Sequence, residues 1–127
     1  MPDPKERITD AELEVMEILW DRQAPMTLAQ IKAALAGKNG DTTKTLLRRL
    51  CQKGAVAQEK REVYYFRPLV ARDELGQFRI QRLIDKLYDG SATAMVAAMV
   101  EHHQLRPRDV EELRRLFRQL WEKEGNP

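Results

Sequence analysis

Cysteine is nearly absent: Cys51 is the single one in 127 residues. An internal disulfide is therefore excluded, and with no thiol nearby to complete a metal clamp, Cys51 reads as a small helix residue rather than a redox centre. No run of about 18 apolar residues occurs, so no stretch reads as a membrane span. The first residues also lack the basic and apolar regions of a secretory signal, and the expected location is the cytoplasm. No nucleophile, base and orienting group form a coherent set, which argues for a protein that is not an enzyme and needs no cofactor. A single domain of this length has a modest core, which keeps oligomerisation in view.

Net charge is also scarce, at +2. Its distribution is more telling than its sum. Residues 1–31 hold three Lys or Arg against seven Asp or Glu, residues 32–72 hold ten against three, and residues 73–127 hold nine against ten. Positive charge is gathered in the middle third, where it can attract a phosphate backbone and make binding salt-dependent.

Within that third lies TTKTLLRRLCQKG, Thr42 to Gly54. Its spacing predicts a helix with Leu46, Leu47 and Leu50 toward a core, and with Thr42, Lys44, Thr45, Arg48, Arg49 and Lys53 as a polar, cationic remainder. Thr42 or Asp41 is placed to cap its start, and Gly54 can take the left-handed geometry that ends it. A solvated surface helix is the plainer reading of the segment taken alone.

Two helices are expected before it. Thr9 and Glu12 have the spacing of a capping box, with Ile8 as staple residue, and Leu13, Val15, Met16, Ile18, Leu19 and Trp20 outline an apolar face. Trp20 reads as packing rather than as a platform for a base. Thr27 and Gln30 repeat the capping arrangement, predicting a short helix to about Ala36 with Leu28, Ile31 and Leu35 on one face. Gly37 to Gly40 read as a turn. Three short helices, the third cationic, have the order of a helix-turn-helix module in which the last helix enters the major groove.

A hairpin should follow, with AVAQEK and REVYYFRPL as its arms. Val56, Val63, Tyr65 and Leu69 are expected toward its inside, and Pro68 closes the second strand. Such a hairpin is a wing, and Lys60 and Arg61 at its tip can meet phosphate or the adjacent minor groove.

From Ala71 the helical period returns, with Leu75, Phe78, Leu83, Ile84, Leu87 and Tyr88 before a stop at Gly90. Gly76 is small enough to admit a close partner. Ser91 can cap SATAMVAAMVEHH, which is expected to be buried. His102 and His103 are adjacent and point about 100° apart on a helix, so they read as helix-end surface residues and no metal site is expected. Pro107 opens a last helix whose Val110, Leu113, Phe117, Leu120 and Trp121 share a face. These segments need cover, which a twofold dimer would supply through Leu75, Phe78, Leu83, Leu87, Met95, Met99, Leu113, Phe117 and Leu120.

Taken together, ITDAELEVMEILW at 8–20, TTKTLLRRLCQKGAV at 42–56 and the YYFRPLV end of the hairpin resemble the penicillinase and methicillin-resistance repressor family, which includes copper-responsive repressors. The likeness spans roughly residues 8–123. It implies a bacterial winged-helix repressor, mainly α with a small β-hairpin, with a DNA-binding domain over residues 1–70 and a helical dimerisation domain over 71–127. It also implies a homodimer on a double-stranded dyad operator. By this resemblance and by residue type, Lys44 and Thr45 probe the groove, Thr42 and Arg48 position the helix, and Lys60 and Arg61 contribute from the wing. Regulated proteolysis by a partner protease releases some relatives at an Asn-Phe bond. The corresponding stretch here places Ala98 and Met99 at that bond, and neither matches. The cysteine cluster of the copper-responsive relatives is missing from this tail. The alternative function is a non-enzymatic interaction module whose cationic helix docks an acidic protein surface.

Overall fold

The computed structural model describes residues 3–35 and 40–125, and for Gly40 and Asp41 the backbone alone. Gly37 to Asn39 of the expected Gly37 to Gly40 turn therefore lie outside the described residues, whereas the backbone of Gly40 and Asp41 is helical, so Asp41 stands inside the helix and not at its cap. The chain forms two compact units, Met1–Ile80 and Gln81–Pro127.

The first unit opens with a 3-10 turn, Pro4–Arg7, and α1, Asp10–Arg22. Thr9 Oγ1 accepts the Glu12 N–H at 3.2 Å while the Glu12 carboxylate accepts the Thr9 N–H at 3.0 Å, so two amides left over at the helix start are satisfied reciprocally. Gln23, at φ 57°, ends α1 by returning its N–H to the Leu19 carbonyl. After β1, Met26–Thr27, a second box formed by Thr27 and Gln30 starts α2, Leu28–Ala34. This helix stops before the expected Ala36, because the Leu35 backbone has already left helical geometry. The cationic helix α3 spans Gly40–Gln52. Thr42 consequently lies in its first turn and not at its cap. Gly54, at φ 82°, lets the Ala55 N–H fold back to the Leu50 carbonyl at 3.0 Å, closing the helix end.

Val15, Met16, Leu19, Ile31, Leu47, Leu50 and Val56 are fully enclosed where α1, α2, α3 and the sheet meet. Each such side chain contributes roughly 1.5–3 kcal/mol by leaving water. Leu75, expected in the dimerisation set, is only 3% exposed and belongs to this core instead. It sits at the start of α4, Arg72–Leu87, whose first turns lie in this unit.

β2, Val56–Lys60, and β3, Tyr64–Pro68, form the hairpin, and β1 adds a third strand in the order β1-β3-β2, all antiparallel. Sequence pattern misses β1, since two residues are too few to show a period. The inward face also differs from expectation. Val56 pairs with Pro68 and Gln58 with Phe66, so Val56 and Phe66 share the core side. Phe66 is buried, whereas Val63 and Leu69 are exposed and Tyr65 is half-buried. Val63 lies in the turn between the strands, where strand alternation no longer applies.

The second unit contains the end of α4 together with α5, Ala92–Glu101, and α6, Pro107–Lys123. Gly90, at φ 78°, ends α4, and Ser91 Oγ caps α5 by accepting the Ala94 N–H at 3.0 Å. The expectation that α5 is buried does not hold in the single chain. None of its residues is buried, nor is any residue of α6, because few neighbouring side chains stand over these apolar faces. His102 and His103 are exposed at the end of α5, and a Cβ added to Gly76 would meet nothing within 4 Å.

Candidate nucleic-acid interface

The local pattern of α3 fixes which side chains face outward. Thr43, Leu46, Leu47 and Leu50 recur at three- and four-residue intervals and are buried. The opposite face is then centred on Thr45, Arg48 and Gln52, with Lys44 on one flank and Thr42 and Arg49 on the other. Lys44, Arg48, Arg49 and Gln52 are exposed and Thr45 is half-buried. Residue type alone does not single out Gln52, although its spacing from Arg48 and Thr45 puts it on this face. Its amide can pair bidentately with an adenine edge.

Lys53 leaves the cationic face altogether. Its Nζ lies 2.5 Å from Glu12 Oε1 and 2.5 Å from the Arg7 carbonyl. Glu12 is 1% exposed, and among the described residues its second oxygen has no hydrogen-bond partner. Burial pushes its carboxyl up, but bonds from Lys53 and Thr9 outweigh this and leave it below the usual Glu value. Lys53 is thus a structural cation that ties the end of α3 to the start of α1.

The wing is less cationic than its Lys60-Arg61 pair suggests. Glu59 and Glu62 flank that pair, and Arg61 Nε lies 3.4 Å from Glu59 Oε1. Arg61 also stacks over Tyr65 at 4.8 Å, and Lys60 stands 5.8 Å from the Tyr64 ring. Such exposed pairs are worth only about 0–1 kcal/mol, so an incoming phosphate can displace them.

Trp20 is engaged in packing. Its indole N–H donates to the Val70 carbonyl at 2.8 Å, and the Arg72 guanidinium lies 5.3 Å from its ring while also bonding Asp21 at 2.9 Å. Cys51 is half-buried, and burial pushes its thiol up, which disfavours a reactive thiolate.

Among the residues expected in dimerisation, Phe78 is half-buried with Lys5 Nζ 5.7 Å from its ring. In the second unit Leu83, Leu87, Phe117 and Leu120 are exposed, while Met95, Met99 and Leu113 are half-buried. Ala98 and Met99 lie inside α5, both half-buried. Among the described residues no helix is long and apolar enough to cross a membrane.

One protein family, described as the penicillinase repressor, matches residues 8–119. The chain belongs to the penicillinase repressor family. It is a family of winged-helix repressors, not of enzymes. A penicillinase repressor of Bacillus licheniformis is 29% identical over 110 residues, covering 84% of this chain and 86% of the relative. A Staphylococcus aureus penicillinase repressor is 24% identical over 126 residues, covering 97% and 100%. The transcriptional regulator BlaI of Mycobacterium tuberculosis is 30% identical over 125 residues, covering 94% and 89%. The mainly helical architecture with a small antiparallel hairpin agrees with winged-helix membership in the penicillinase repressor family.

Proposed function

We propose that this chain is a homodimeric cytoplasmic repressor that holds a double-stranded dyad operator with two copies of α3 and two wings. The outward face of α3 carries the reading. Thr45, Arg48 and Gln52 offer groove-edge chemistry, and Lys44 and Arg49 flank them with positive charge. Among the described residues, Lys44 and Arg48 make no ion pair within the chain, which leaves both available to DNA. Thr42 positions the start of the helix, while Lys60 and Arg61 meet phosphate from the wing. The front domain supplies these contacts and the helical tail supplies the dimer. Exposed Leu83, Leu87, Phe117 and Leu120 are the apolar surface a second copy would cover, with Met95, Met99 and Leu113 beside them.

Selection of duplexes from a random pool by the full-length protein tests this reading. The expected product is a dyad with half-sites about one helical turn or a multiple apart, bound more weakly as salt rises. Recovery of no sequence preference from a folded dimer would overturn it. Release by a protease at Ala98 and Met99 draws no support from local geometry. Both lie within α5, and cleavage there requires that turn to unwind first.

A further inference from the structure

A groove of about 1040 Å³ runs between α3 and the hairpin, and its walls are mainly apolar. Leu28 and the largely enclosed Leu47 line it from the helices and Val63 and Tyr64 from the hairpin, and exposed Lys44 and Arg48 belong to the same lining. Val63 and Tyr64 are exposed although apolar or aromatic, and they stand on the face of the wing turned toward α3. Among the described residues no Asp or Glu lines the groove. A DNA backbone is ionic and hydrated, and covering this apolar wall with it would gain little. The chemistry matched by two cations beside an apolar trough is one anionic head on a hydrocarbon body, and the volume lies slightly above the roughly 300–1,000 Å³ of small-molecule sites.

We propose that this groove binds a free long-chain monocarboxylate, its chain against Leu28, Leu47, Val63 and Tyr64 and its carboxylate on Lys44 and Arg48, so that ligand and DNA exclude one another. Ligand binding stands on the groove alone, whereas the exclusion rests on the DNA-binding reading.

Calorimetry of the full-length protein with laurate below its micelle threshold tests binding without DNA. Saturable binding at one site per chain is expected, with dodecyltrimethylammonium weaker by about tenfold or more, as a cation should be beside Lys44 and Arg48. V63D, placed in an exposed turn, should weaken laurate by a similar factor, with circular dichroism confirming the fold. R48Q should weaken laurate while leaving dodecanol unchanged. Absent saturation, equal binding of the cationic detergent, or unchanged laurate binding by both variants would each overturn the proposal. With a selected duplex, laurate should displace DNA. A ternary complex that retains both would overturn exclusion while leaving the ligand site intact, and failure to select any duplex would count against the DNA reading alone.

Discussion

Glu12 carries a charge into the core of the first unit, and Lys53 answers it from the end of α3 at 2.5 Å. Removing one member of a fully buried pair costs about 3–5 kcal/mol; Lys53 keeps 24% exposure, so K53M should cost less, roughly 2–3 kcal/mol. Urea unfolding of the variant against the parent measures this. E12Q retains an amide oxygen for the Thr9 cap and should cost about 1 kcal/mol at neutral pH. The pH dependence has a definite sign. With its folded value lowered below the ordinary 4.5, Glu12 contributes stability above that value and loses it as pH falls through the folded value. Unfolding midpoints taken from about pH 6 down to about pH 3 should therefore fall less steeply for E12Q than for the parent. An identical slope would show that Glu12 titrates alike in both states. The cap formed by Glu12 is legible in sequence because its partner is three residues away. Its ion pair is not, because Lys53 lies 41 residues along the chain.

At the scale of elements, α3 and the wing should fail differently when altered. R48A or Q52A removes a side chain from the centre of the outward face. Each should cost about 1–3 kcal/mol on the selected duplex and relax preference at a particular base pair. K60A or R61A should weaken all duplexes alike and lower the salt slope by about 1 for each phosphate no longer neutralised. The wing effect should be the smaller one, because Glu59 already partners Arg61. Fluorescence anisotropy across a salt series, on selected and scrambled duplexes, separates the two. Uniform loss from R48A and Q52A would move base reading away from α3. The helices were largely legible in sequence, since capping boxes and three- and four-residue apolar spacing are local signals. The phase of the hairpin was not: its tip at Arg61 to Val63 breaks the alternation, so the inward Phe66 is identified by pairing with Gln58 and by its cover from the core.

For the whole molecule, the decisive quantity is how much apolar surface the tail leaves in water. Leu87 is 71% exposed, Phe117 64% and Trp121 55%, and exposed groups of this kind mark surfaces that meet a partner. Sequence spacing showed the amphipathic face of α6 but misplaced α5 as buried, because an apolar pattern does not say whether the same chain or a second one provides the cover. F117E places a charge in that face without touching α3. It should shift the protein toward monomer in sedimentation equilibrium at tens of micromolar, where a desolvated, unpaired carboxylate would oppose association. Affinity for a single half-site should be unchanged. Affinity for the full dyad should fall by about a hundredfold or more, since the second module would no longer be held at high effective concentration beside its half-site. Equal loss on both duplexes would point to a damaged fold, and no loss on the dyad would show that each front unit binds independently, leaving the tail without a part in operator affinity.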